Sequence, residues 1–260
     1  MSSLAVLVPE YFWNWMNRTM IIGTPVSVCI NELRIGSICI ELTNRPLWNG
    51  SLTLDLIDGF NLKKLSFFKE GLLRLEKRTG FVGLIRKEGS EDPFVGKCTA
   101  ILERITVTRS RNEQMIVQGL SPLVGLGIGL TPSGDDFLTG ALLGERVSLA
   151  LSRTHTHGKG QKEPMKVLRM NKAEILGALE KTSLPGKTLL WQALWGQFPS
   201  YLLHFVRAVA TSSNSNDIDK HIAEAGRHGE TSGTDAVVGL YWFLSLSYEA
   251  EALGRYQLAV

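Results

Sequence analysis

The stretch Gly125-Leu-Gly-Ile-Gly-Leu-Thr-Pro-Ser-Gly-Asp-Asp136, called here the glycine-rich turn, separates two parts of the chain with different character. Three alternate glycines, a Thr-Pro step and two adjacent carboxylates stand directly before an apolar pattern of helical spacing, which begins at Phe137. Glycine lets the backbone approach a ligand closely, and a helix N-terminus leaves amide N–H groups unpaired. The turn therefore predicts a helix start that binds a ligand.

The residues before the turn are predicted to be rich in β-strand. Short apolar runs between about residues 20 and 120 are separated by Gly, Asn, Asp and Pro, and this pattern favours a small barrel or sandwich over βαβ units. The first two runs surround a short polar turn, which suggests a hairpin. The predicted strands are 25–30, 35–42, 52–57, 81–85, 101–108 and 115–118.

The residues after the turn are predicted to be helical. Beyond the helix that opens at the turn, the candidates are 173–181, 188–197, 201–211, 218–226 and 235–252. The segment 152–172 carries six Lys or Arg residues and one acid, Glu163, and is predicted to be an exposed, mobile connection. The predicted fold class is α+β, with a β-rich domain over residues 1–120 and a helical domain over residues 121–260.

Composition narrows the class of protein. A net charge of +3 on 260 residues is too small to indicate nucleic-acid binding. Three cysteines without CxxC spacing favour reduced thiols over a disulfide framework. Polar residues interrupt the N-terminal apolar stretch, and Pro199 interrupts the apolar segment 189–210, so neither a signal peptide nor a membrane span is expected. We expect a cytoplasmic protein without nucleic-acid or membrane partners.

A second copy of the motif occurs about a hundred residues later. Both Ser133-Gly-Asp-Asp136 and Ser232-Gly-Thr-Asp235 read Ser-Gly-x-Asp, and both open an apolar helical stretch. A glycine follows each aspartate by four residues, at Gly140 and Gly239, and so lies on roughly the same helix face. These glycines allow close approach of another helix, so we expect the two helices to cross with their N-termini side by side.

Helix capping is the simpler explanation of the motif. Ser-x-x-Asp matches a capping box, which stabilises a helix start by ~1 kcal/mol. The first copy holds more glycines and one more carboxylate than a cap requires, which favours a ligand site. The predicted catalytic residues are Asp136, Asp235 and, as an acid/base, His228. The predicted substrate-binding residues are Gly127, Gly129, Thr131, Ser133, Gly134, Asp135, Ser232 and Gly233.

The charges of the glycine-rich turn restrict its ligand. Glycine amides and a helix N-terminus attract phosphate, but Asp135 and Asp136 repel it unless a cation intervenes. One solution is Mg²⁺ held by these two carboxylates and bridging to a phosphate oxygen. The other is a ligand that presents N–H donors beside its anionic group, such as a carbamoyl compound. The residues alone leave both solutions open.

The two motifs together resemble the AllH-like subunit family of oxamate carbamoyltransferase. The resemblance implies one subunit of a multi-protein transcarbamylase in purine (allantoin) catabolism, with a small anionic or carbamoyl substrate and other subunits as partners. The reaction implied interconverts oxalurate plus phosphate with oxamate plus carbamoyl phosphate. Two alternatives remain from the residues, namely a non-catalytic binding or scaffold subunit and a Mg²⁺-dependent phosphoryl-transfer enzyme.

Overall fold

The computed structural model describes residues 14–15, 18, 20–43, 49–75, 80–86, 92–110, 114–155 and 168–253. The chain divides into two compact units, Met1–Asn49 and Gly50–Val260. The change in composition near residue 120 falls inside the second unit, and a domain boundary at that point stays a prediction. The described part of the chain holds no helix with the length and apolar character needed to cross a bilayer.

The first unit contains an antiparallel three-stranded sheet. Its strands are β1 (Val26–Val28), β2 (Glu32–Ile35) and β3 (Ile38–Glu41), in that order across the sheet. The two outer strands agree with the predicted runs 25–30 and 35–42. The polar residues between those runs, expected to form a turn, instead form most of the middle strand β2.

Helices make up most of the second unit. They are α1 (Leu65–Arg74), α2 (Val82–Arg86), α3 (Pro93–Leu102), α4 (Ser133–His155), α5 (Lys172–Ala178), α6 (Leu184–Leu194), α7 (Ser200–Thr211), α8 (Ser215–Ala225) and α9 (Ser232–Leu253). The helices predicted after the glycine-rich turn are confirmed, with ends that shift by several residues. Short 3₁₀ helices lie at Leu54–Ile57, Leu62–Lys64, Ser121–Leu123 and Leu179–Lys181.

The second unit also contains a mixed three-stranded sheet. Strand β4 (Thr106–Arg109) pairs antiparallel with β5 (Met115–Gln118), and β6 (Leu168–Met170) joins β5 in parallel. The α+β class is confirmed, and the described strands form two open sheets rather than a closed barrel. The chain does not enter β4 until Thr106, because α3 occupies the first residues of the predicted strand 101–108.

Two predicted strands are wrong. Residues 54–57 form a 3₁₀ helix and residues 82–86 form α2, where the sequence predicted strands over 52–57 and 81–85. Each run is short and apolar, and such runs do not distinguish a strand from a helical turn. Both place an apolar side chain in the core, Ile57 in the first and Val82 in the second. Burial therefore explains their composition without a sheet.

Helices α4 and α9 pack closely along each other. A Cβ atom on Gly140 would lie 1.7 Å from the carbonyl oxygen of Ala236, and one on Gly239 would lie 1.9 Å from that of Phe137. Real Cβ atoms do not come so near, so only glycine permits this backbone contact. The predicted crossing of the two helices is confirmed, and it places their first turns next to each other.

The end of the basic segment 152–172 is ordered by a buried acid. Arg169 lies in β6 and Lys172 begins α5, and both pair with Glu145 of α4, at 2.8 Å and 3.1 Å. The Glu145 side chain is fully buried. These two residues therefore do not belong to an exposed connection, whereas residues 156–167 lie outside the described part of the chain.

Candidate functional site

The two Ser-Gly-x-Asp motifs meet at the paired starts of α4 and α9. The hydroxyl oxygens of Thr131 and Ser232 are 3.0 Å apart, within hydrogen-bond distance. One turn into each helix lies a buried carboxylate, with Asp136 only 2% exposed and Asp235 fully buried. Five of the predicted site residues are brought together here: Thr131, Ser133, Asp136, Ser232 and Asp235.

Asp136 is an incompletely satisfied buried acid. Its Oδ2 atom has no hydrogen-bond partner among the described residues. Burial raises the pKa of Asp136 to about 7, opposed by the neighbouring hydroxyls of Ser232 and Thr131 and reinforced by the negative charge of Asp235. A carboxyl group with such a pKa exchanges its proton near neutral pH.

Asp235 is held by the backbone of another segment. Its Oδ1 atom accepts a hydrogen bond of 2.6 Å from the amide of Phe81, while its Oδ2 atom has no partner among the described residues. Burial raises the pKa of Asp235 to about 6, opposed by the Phe81 amide and the hydroxyl of Ser133. A Cβ atom at Gly80, whose φ is +76°, would lie 2.5 Å from Oδ1. Glycine is therefore required beside this carboxylate.

The serines act across the helix pair. Ser232 of the second motif lowers the pKa of Asp136 in the first, and Ser133 of the first lowers the pKa of Asp235 in the second. A capping box would require the amides of Asp136 and Asp235 to donate to the serine side chains. They donate instead to the main-chain carbonyls of Pro132 and Thr231. The motif thus links the two helices reciprocally.

Asp135 differs from its neighbour Asp136 because both of its oxygens are engaged. Oδ1 accepts a hydrogen bond of 2.8 Å from the amide of Gly125, and Oδ2 accepts one from the hydroxyl of Thr182. Burial raises the pKa of Asp135, and these two hydrogen bonds oppose the rise. The carboxylate therefore ties the glycine-rich turn to the segment before α6.

The three alternate glycines of the turn determine its backbone shape. Gly125, Gly127 and Gly129 have positive φ angles, and a Cβ atom on Gly127 would lie 2.7 Å from the amide nitrogen of Ser133. Gly129 is exposed, with open space around its Cα. Gly125, Gly127 and Gly129 therefore shape the turn, and ligand binding by Gly127 and Gly129 stays a prediction.

Gly134 and Gly233 serve close packing. The amide of Gly134 donates to the carbonyl of Leu126, and that of Gly233 donates to the carbonyl of His228. Added Cβ atoms would lie 2.0 Å from the carbonyl oxygen of Leu123 and 1.8 Å from that of Ala225, respectively. Their amides are already paired, and a contact with ligand at these two positions stays a prediction.

His228 stands on the exposed side of the site, stacked on a residue that sequence reasoning missed. Its ring lies over the ring of Tyr201 with 4.2 Å between centroids and 18° between planes. Burial, followed by the charges of Asp136 and Asp235, raises the pKa of Tyr201. Tyr201 is the second residue of α7 and belongs to no motif, so no sequence signal connects it with the two aspartates.

The described residues contain no cluster of three or more His, Cys, Asp or Glu side chains that could hold a metal ion. The predicted ligation of Mg²⁺ by Asp135 and Asp136 stays a prediction. Within the described part of the chain, neither Asp136 nor Asp235 forms an ion pair with a Lys or Arg side chain. The pair is therefore an acidic site without a compensating cation among these residues.

Comparison with known proteins gives one match. Residues 123–244 match the family model described as oxamate carbamoyltransferase subunit AllH, whereas no curated protein and no solved structure matches the chain. The matched region begins just before the glycine-rich turn and ends within α9, so it contains both motifs and the paired aspartates. Residues 123–244 are therefore similar to the AllH family, in agreement with the family resemblance that the motifs predicted.

Proposed function

We propose that the protein is a subunit of a cytoplasmic carbamoyltransferase that interconverts oxalurate plus phosphate with oxamate plus carbamoyl phosphate in purine (allantoin) catabolism. The observation that carries the proposal is the pair Asp136 and Asp235, two buried carboxylates at facing helix starts, each with one oxygen that has no partner among the described residues. The family description, which names a subunit of oxamate carbamoyltransferase, supports the reaction and the need for partner subunits.

The reaction needs a proton at one nitrogen. When oxalurate is cleaved, a phosphate oxygen bonds to the ureido carbon and the bond from that carbon to the oxamate nitrogen breaks. The departing nitrogen takes up a proton and leaves as the amide of oxamate. In the opposite direction that nitrogen attacks the carbon of carbamoyl phosphate, loses a proton, and the phosphate leaves. A positioned acid/base group therefore assists both directions.

Asp136 is suited to hold this proton. A pKa of about 7 leaves its carboxyl group partly protonated at neutral pH, so it can give a proton to the nitrogen and take one back. Asp235 is fixed by the amide of Phe81, which donates to its Oδ1 atom, and in this scheme its Oδ2 atom, which has no partner among the described residues, accepts a hydrogen bond from the substrate. Different environments thus give the two carboxyl groups different roles.

The other site residues position the substrate in this scheme. The hydroxyls of Ser133 and Ser232 lie beside the aspartates. In the scheme, the turn amides near Gly127 and Gly129 bind the anionic group of the substrate, because unpaired amides before a helix attract anions. His228 is an exposed second candidate for proton transfer. The scheme contains no metal step, and the effect of Mg²⁺ on ligand binding is tested separately.

A calorimetric titration of the full-length protein tests the proposal. The ligands are oxalurate, oxamate, carbamoyl phosphate and ATP, each with and without Mg²⁺. We expect oxalurate or oxamate to bind without Mg²⁺, and ATP to remain unbound. Binding of ATP that requires Mg²⁺ would contradict the proposal in favour of phosphoryl transfer. Assembly with partner subunits without binding of any of these ligands would contradict it in favour of a scaffold role.

A further inference from the structure

The position of Tyr201 is fixed against the start of α9. Its ring stacks on that of His228, and the carbonyl oxygen of His228 accepts a hydrogen bond of 2.9 Å from the amide of Gly233. Gly233 is the second residue of α9 and is itself packed against the carbonyl of Ala225. The phenol ring is therefore held beside the helix start that carries the second motif.

The hydroxyl of Tyr201 is available to a ligand. It forms no hydrogen bond within the described part of the chain, and the side chain is only partly buried. Burial is the main cause of the raised pKa of Tyr201, and the negative charges of Asp136 and Asp235 add to it, so the hydroxyl lies within electrostatic reach of the two carboxylates. With its pKa raised, the phenol keeps its proton at neutral pH and is able to donate it in a hydrogen bond.

Three polar groups of the site thus have hydrogen-bonding capacity that no residue of the described ranges uses. Oδ2 of Asp136 and Oδ2 of Asp235 are acceptors when ionised, and the hydroxyl of Tyr201 is a donor. A bare anion satisfies neither carboxylate and is repelled by both. An ammonium group satisfies the carboxylates but offers no acceptor to the phenol. A planar amide or ureido group supplies N–H donors and a carbonyl acceptor together.

We infer that Tyr201 is a ligand-contacting residue, which donates a hydrogen bond to the carbonyl oxygen of an amide or ureido group while Asp136 and Asp235 accept from its N–H groups. The inference rests on the proposed function for the identity of the substrate as oxalurate, but its ligand class follows from these three groups. It assigns the nitrogen-bearing end of the substrate to the paired helix starts.

Two probes of matched shape separate a hydrogen bond to the carbonyl from a structural role of Tyr201. N-carbamoylglycine carries a ureido carbonyl, and guanidinoacetate carries a C–NH₂⁺ group in its place. The full-length protein is compared with Tyr201→Phe, which keeps the ring that stacks on His228. Tyr248→Phe is the matched control, since Tyr248 is exposed and lies 16 residues along α9 from Ser232.

We expect Tyr201→Phe to weaken binding of N-carbamoylglycine by about 3- to 10-fold, as for loss of one neutral hydrogen bond. Binding of guanidinoacetate should change by less than about twofold, because it uses only the two carboxylates. Tyr248→Phe should leave both dissociation constants unchanged. Thermal unfolding of each variant, recorded in parallel, verifies that the fold is retained.

The outcomes are distinguishable from those of the proposed function. Equal weakening of both probes, or no weakening of either, would overturn the inference, as would failure of the wild-type protein to bind the probes. Oxalurate is titrated in the same series. If N-carbamoylglycine binds in a Tyr201-dependent manner while oxalurate does not bind, the ligand class stands and the proposed reaction fails.

Discussion

The hydroxyl oxygens of Thr131 and Ser232 lie 3.0 Å apart, although 101 positions separate the two residues in the chain. This contact joins the starts of two long helices that carry the same short motif. It depends on the glycines at which α4 and α9 cross, because these set the distance between the helix axes. The close crossing brings together the two helix starts at which Asp136 and Asp235 are buried. This burial raises the pKa of both carboxyl groups.

Gly140→Ala tests the crossing. Its new methyl group would lie 1.7 Å from the carbonyl oxygen of Ala236, so the two helices must separate. We expect the free energy of unfolding to fall by roughly 2–4 kcal/mol, at or above the usual range for overpacking, as measured by denaturant unfolding. Gly96→Ala is the control, since a Cβ atom there meets nothing within 4 Å in α3. A Gly140→Ala protein as stable as this control would contradict the close crossing.

Asp136→Asn is expected to stabilise the protein at neutral and alkaline pH. The pKa of Asp136 is raised from 3.8 to about 7, so the folded state binds more protons than the unfolded state between these values. The free energy of unfolding of the wild type therefore decreases as pH rises through this window and then levels off. Asparagine removes this cost, so at pH 8 the variant should be more stable by roughly 1–4 kcal/mol.

Thermal unfolding between pH 4 and pH 8 measures this effect. The difference in stability between Asp136→Asn and wild type should be small at pH 4 and grow toward pH 8. Asp58→Asn, which removes a carboxylate at an exposed position, serves as the control. A difference for Asp136→Asn that shrinks as pH rises would show that the carboxylate is stabilised in its charged form.

Asp135→Asn should behave differently from Asp136→Asn although the residues are adjacent. The Asp135 carboxylate accepts from the Gly125 amide and from the Thr182 hydroxyl. Weakening these bonds should destabilise the glycine-rich turn by about 1–3 kcal/mol. Amide hydrogen exchange over residues 124–134 should therefore become faster, and Thr182→Val should have a smaller effect of the same kind. Unchanged exchange in Asp135→Asn would contradict the anchoring role.

Glu145→Gln should destabilise the sheet edge at β6. Glu145 is fully buried, while the side chains of its partners Arg169 and Lys172 are 33% and 28% exposed. Because these cations retain some hydration, we expect a loss of roughly 1–3 kcal/mol, less than for a fully buried pair. Glu224→Gln is the control, since the Glu224 side chain is 69% exposed. Equal stability of the two variants in urea would contradict the structural importance of the buried pairs.

The pairing of the two Ser-Gly-x-Asp motifs could be predicted from sequence because each motif shows which face of its helix lies in the contact. A glycine four residues after an aspartate marks a helix face, and two such faces in one chain suggest a contact. The helices after the turn were predictable for a related reason, since their apolar spacing extends over several turns. Short runs lack that information, which is why the segments 54–57 and 82–86 are helical where the sequence predicts strands.

The separate roles of Asp135 and Asp136 could not be read from sequence. Adjacent residues of a helix point about 100° apart, so two neighbouring carboxylates meet different surroundings. Which of them faces Thr182, and which faces α9, depends on how distant segments pack. Tyr201 illustrates the same limit, because it reaches the site from α7 through its stacking on His228.

Carbamoyl transfer measured in the assembled complex tests the central claim most directly. The complex is purified with wild-type protein, Asp136→Asn, Asp235→Asn or the control Asp58→Asn, and the phosphate-dependent cleavage of oxalurate is followed. We predict that Asp136→Asn abolishes the activity while the variant still folds and assembles. Asp235→Asn should lower kcat/KM by at least about 100-fold, as for loss of a charged hydrogen bond and of substrate orientation. Asp58→Asn should be fully active. Wild-type activity in Asp136→Asn would contradict the claim.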